Sequence, residues 1–138
     1  MKRRPLLLLA ALTPLLVSHS AQAGTYLNRA ALLISGARRE SEYLRAHLGD
    51  KDLADLVHAV AQARLAAASR MNVPKEVVQA HPHLLLTLEN YERSAEAATQ
   101  SQSDRFLVYQ QRARDEEQVL RGVLKQLGWA LPDKPDDK

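Results

Sequence analysis

Between Leu27 and Leu127 the apolar residues of this chain recur at steps of three and four, and no segment alternates with a step of two. That spacing gathers them on one face of an α-helix and does not suit half-buried strands. The residues in between favour the same conformation. Ala, Leu, Arg, Glu and Gln dominate, β-branched and aromatic residues are scarce, and no Asn-Gly hairpin signal occurs. The chain is therefore expected to be all-α.

Glycines, prolines and a polar connector divide the pattern into four helices. The first spans about Leu27 to Leu48, with Leu27, Ala31, Ile34, Ala37, Ser41, Leu44 and Leu48 on its apolar line and Gly49 as the stop. The second spans about Asp52 to Met71, on the line Leu53, Leu56, Val57, Val60, Ala63, Ala67, Met71. Val73-Pro74 ends it, because proline disfavours helix in the residue before it. Residues 75–80 are expected to make one turn. Pro82 suits a first turn and disrupts a helix interior, so the third helix is placed from Pro82 to Gln100. Its line is Leu84, Leu88, Tyr91, Ala95, Ala98. Ser103 is the expected N-cap of the fourth, which follows Phe106, Tyr109, Ala113, Glu116, Leu120, Val123 and Leu127 to Gly128. On these lines Leu56 and Leu88 are both expected to be fully buried.

Short connectors make consecutive helices antiparallel, which predicts an up-down-up-down four-helix bundle over residues 24–128. Two pairings fit close packing. Ala95 and Ala98 oppose Phe106 and Tyr109, and the Ala63, Ala66, Ala67 stretch opposes the Leu-rich start of the third helix. Residues 129–138, with two prolines and five charged residues, are expected to form a mobile tail.

Residues 1–23 have the three parts of a secretory signal peptide. Lys2, Arg3 and Arg4 supply the positive start, Leu6 to Val17 the apolar run, and Ala21-Gln22-Ala23 a small-x-small cleavage site. The run is well short of the roughly 20 residues a spanning helix needs. Cleavage would leave a chain starting at Gly24, periplasmic or extracellular, with no membrane span. The whole chain has 19 Lys+Arg against 16 Asp+Glu, but three of those bases lie in residues 1–23. What remains is formally neutral, which removes the basis for nucleic-acid binding. There is no cysteine, so stability must come from packing, and thiolate metal sites and c-type haem are excluded.

Few residues invite chemistry. His81, His83 and Met71 fall at one end of the expected bundle and form a candidate metal set, since imidazole and thioether suit copper. Residues two apart on a helix do not share a face, which weighs against it. Glu116 on the fourth apolar line, with Arg38 and Arg64 near the first two, is a candidate buried polar site. Glu-x-x-His pairs, a Gly-x-Ser-x-Gly frame and a phosphate loop are all absent. No catalytic constellation emerges and no cofactor is implied. The expected function is a non-enzymatic helical interaction module of the bacterial cell envelope. Its partner would be another envelope protein, and self-association is compatible with the same surfaces. The alternative is metal or small-ligand binding at the His81/His83 end.

Export makes a direct prediction. Intact-mass measurement on protein from the native envelope should give a chain beginning at Gly24. A mass that retains Lys2 to Ala23 contradicts it.

Overall fold

The computed structural model describes residues 13–133, with side chains from residue 21 onward. The first twelve residues of the expected signal peptide, and the last five of the expected tail, lie outside this range. Among the described residues there are four α-helices and no strands. They are α1 (Thr13–Arg45), α2 (Lys51–Ser69), α3 (His81–Thr99) and α4 (Ser103–Gln126). The architecture is the all-α four-helix bundle expected. No helix among the described residues is long and apolar enough to cross a membrane.

The helix ends follow local chemistry. Asp50 caps α2 by accepting a hydrogen bond from the Leu53 N–H at 3.0 Å. Pro82 sits in the first turn of α3, where its missing N–H has no intrahelical acceptor to lose. Gly128, at φ +85°, closes α4: its N–H bonds the Lys125 carbonyl and the Trp129 N–H bonds that of Leu124. Ser101 does the same work after α3 at φ +58°, an unusual conformation for a residue with a side chain. Two expectations fail here. α1 ends at Arg45, a turn before Gly49, and α4 starts from Gln102 without a side-chain cap from Ser103.

α3 is the central element. It packs most extensively on α4, then on α2, and α1 lies across it. The expected α1 and α3 lines are buried nearly throughout, from Leu27 to Leu44 and from Leu84 to Ala98. Two apolar clusters result. The larger joins the start of α1, the end of α2, the start of α3 and the end of α4, around Ile34, Leu84, Leu88, Leu120 and Leu124. The smaller, at the other end, sets Phe106 against Ala95, Ala97, Ala98 and Leu44.

The expected line of α2 is corrected. Its buried residues are Ala54, Val57, Ala61 and Ala68, while Leu56 is 62% exposed and Ala63 and Ala67 face outward. Ala54, Ala61 and Ala68 are seven apart, a repeat of small residues that lets the backbones approach closely. The large side chains are displaced to the flank. The tail is also corrected in part: Leu131 is buried and Trp129 packs on the larger cluster, so the chain stays with the core beyond Gly128.

Leu88→Ala should cost about 2–5 kcal/mol, through lost contacts and a residual cavity. Leu56→Ala should cost under about 1 kcal/mol, as for exposed positions generally. Chemical denaturation of the two variants separates these outcomes.

Candidate functional site

Four places in the bundle carry functional groups. The first is a polar seam between α1 and α4. The buried positions of α4 are Phe106, Gln110, Ala113, Glu117, Leu120 and Leu124. The expected line is thus right at 106, 113 and 120 and one residue off between them. Gln110 donates to the Ser41 hydroxyl at 2.8 Å. Glu117 accepts from the Arg38 guanidinium and, at 3.4 Å, from Arg121. The Glu117 bond holds the Arg38 pKa above its ordinary value. The buried hydroxyl of Tyr91 lies beside Arg38 without a hydrogen bond of ordinary geometry, and burial raises its pKa.

The candidate polar set of Glu116, Arg38 and Arg64 therefore does not assemble. Arg38 pairs with the neighbouring Glu117, Arg64 with Glu40 at 2.8 Å, and Glu116 with His83 at 2.7 Å. The physical reason lies in α1, which offers Arg38, Ser41 and Arg45 to α4 and so draws the polar residues 110 and 117 inward, leaving Tyr109 and Glu116 on the flank. Tyr109 stands among Arg93, Arg105 and Arg112, whose guanidinium carbons lie 5.3–6.0 Å from its ring centre.

The second place is the start of α3. The Tyr26 hydroxyl lies 2.9 Å from His81 Nδ1, and burial pushes the Tyr26 pKa up to about 12. A phenol that keeps its proton can donate it to Nδ1 of a neutral His81. Burial lowers the His81 pKa, opposed by a hydrogen bond to the Ala68 backbone. Met71 packs against the larger apolar cluster. His81 and His83 are thus turned to different partners, Tyr26 and Glu116, and are not brought together with Met71 as a set. A cleft of about 560 Å³ lies beside Tyr26, walled by Ala21, Gln22, Thr25, Arg29 and the 72–74 turn.

The third place was not singled out from the sequence. His58 on α2 faces Glu92 and Glu96 on α3, with one ligating atom from each within 4.8 Å of the others. His58 Nε2 is 2.7 Å from a Glu92 oxygen. Glu92 and Glu96 are one turn apart and share a helix face. The histidine is 34 residues away in sequence, so only the α2–α3 pairing brings it into reach.

The fourth is an apolar groove of about 440 Å³ between α1 and α2, formed by Tyr43, Leu53, Leu56, Val57 and Val60 with Arg39 and Glu40 at its edge. Tyr43 is 58% exposed. These are the α2 side chains that the sequence placed in the core.

Comparison with protein-family models, curated proteins and solved structures gives no match. The chemistry of the sites must be read from their own geometry. The polar seam pairs Gln110 with Ser41 and Glu117 with Arg38 and leaves the Tyr91 hydroxyl buried. The groove offers apolar contact, and the His58 cluster offers nitrogen and oxygen ligands.

His81 makes stability pH-dependent. Its folded pKa lies below the ordinary value near 6.5, so the unfolded chain takes up its proton first as pH falls. The stabilisation is present above about pH 6.5 and is lost as acid protonates the unfolded chain. Between pH 7.5 and 5.5 the wild-type protein should lose more stability than His81→Gln. Equal losses would show that His81 stays as basic in the bundle as in the open chain.

Proposed function

We propose that this protein is a non-enzymatic helical module of the bacterial cell envelope, exported and cleaved before Gly24, that binds an amphipathic helix of another envelope protein. One observation carries the reading: Leu56, Val60 and Tyr43 line an open groove between two antiparallel helices. Leu53, Leu56 and Val60 at one-turn spacing on α2, with Tyr43 opposite on α1, suit a third helix with anchors at steps of three and four. A contiguous apolar surface of this kind is a common mark of an interaction site.

The non-enzymatic reading rests on how the buried polar groups are used. Gln110 is bonded to Ser41 and Glu117 to Arg38, so these groups hold helices together and do not converge on an open cavity. The cleft beside Tyr26 is a weaker ligand site under this reading. Ala21 and Gln22, which wall it, belong to the segment that cleavage removes. The α1–α2 groove is built from residues 39–60 and is unaffected.

Position-specific photocrosslinking in the native envelope tests the proposal. Benzoylphenylalanine at position 56 should give a discrete adduct with a second protein, which Tyr43→Glu abolishes. The same probe at position 119, where Val119 is exposed on α4, should not. Equal adducts at both positions, or none at 56, would remove the groove as a docking site. An adduct at twice the chain mass would make the partner a second copy.

A further inference from the structure

We infer that His58, Glu92 and Glu96 form a binding site for a first-row divalent cation, with Zn²⁺ the best fit, that ties α2 to α3. The ligand types come first. One imidazole and two carboxylates are the nitrogen and oxygen donors that Zn²⁺ accepts at about 2.0–2.2 Å, and three protein ligands leave a position for water. In a tetrahedral arrangement at that bond length, ligand atoms stand roughly 3.4 Å apart. The three donor atoms already lie within 4.8 Å of one another, so small side-chain rotations suffice. His58 Nε2 and the Glu92 oxygen, 2.7 Å apart, now share a proton. A cation would take the place of that hydrogen bond and bind both atoms, with the imidazole N–H carried on Nδ1.

The surrounding charge favours a cation. Glu96 has no hydrogen bond or ion pair through its carboxylate among the described residues. Asp55, three residues before His58, lies on the same helix face, and Glu89 lies one turn before Glu92 and Arg93. Two arginines border the same cleft, Arg93, held 2.8 Å from Glu89, and Arg105, and both stand near the Tyr109 ring on α4. Among the described residues Glu96 is thus left without a direct ion pair beside the His58–Glu92 pair, and the carboxylates Asp55, Glu89, Glu92 and Glu96 outnumber the two arginines. The two helices that carry the ligands are fixed by buried Ala54, Val57 and Ala61 on one side and Ala95 on the other, so the donors are held by the core itself.

The site differs from the His81/His83 end, and titration separates them. One equivalent of Co²⁺ should give a visible d–d band that Zn²⁺ abolishes. His58→Ala and Glu96→Gln should each weaken Zn²⁺ at least roughly tenfold. Glu96 is exposed and unpaired, so Glu96→Gln should leave the unfolding midpoint without metal unchanged, which rules out a folding artefact. His83→Ala should bind like wild type. No bound Co²⁺, unchanged affinity in His58→Ala and Glu96→Gln, or a loss confined to His83→Ala would each overturn the assignment.

Discussion

The close approach allowed by alanine decides most of what this bundle presents to its surroundings. Ala54, Ala61 and Ala68 on α2, Ala30, Ala31 and Ala37 on α1, and Ala95 and Ala98 on α3 are all buried at the helix contacts. A methyl group fills little space, so backbones draw together and the contacts are dense without large side chains. The consequence is paid on the flanks. Leu56, Val60 and Tyr43 find no room between α1 and α2 and line a groove instead. The same tight α2–α3 contact lets His58 reach Glu92. Groove and ligand cluster are therefore two results of one packing choice.

Alanine contacts are smooth and tolerate sliding, so something else must set the register. The α1–α4 seam does this with directional bonds. Ser41 meets Gln110 and Arg38 meets Glu117, two bonds that descend α1 as they ascend α4, and Glu42 faces Arg114 at 3.9 Å on the flank. Of these ionic partners only Glu117 is buried, and a buried carboxylate left without its partner is costly. A slip by one helical turn would strand Glu117, which is only 8% exposed. The seam thus penalises wrong registers more than it rewards the right one.

The sequence was read well where large and small residues agreed. The α1 and α3 lines pick out the buried faces because each mixes Leu, Ile or Tyr with Ala along one stripe. Pro82 and Gly128 mark helix ends through backbone chemistry that needs no tertiary context. On α2 the expected line holds at Val57 but misleads at Leu53 and Val60, where packing buries the smaller neighbours Ala54 and Ala61. The reading failed at Glu116 because the partner that draws Glu117 inward, Arg38, lies 79 residues away. His58 escaped notice for the same reason: a ligand set split between two helices leaves no local motif.

The length of α1 bears on the order of events in the proposed export. The helix runs without a break from Thr13 to Arg45, through the Ala23–Gly24 bond, and Ala23 is fully buried. A protease needs an extended, accessible chain, so cleavage would have to precede formation of this helix. Afterwards α1 would begin at Gly24, and the Thr25 hydroxyl would lose the Ala21 carbonyl it now bonds at 3.0 Å. Freed from that bond, Thr25 would lie beside the unpaired N–H groups of the new first turn, which a hydroxyl can serve. The buried stripe resumes at Tyr26 and Leu27, one turn inside the new end. The bundle would therefore keep its core, its polar seam, its groove and its His58 cluster. The change would fall on the cleft beside Tyr26 and on the exposure of His81 behind it.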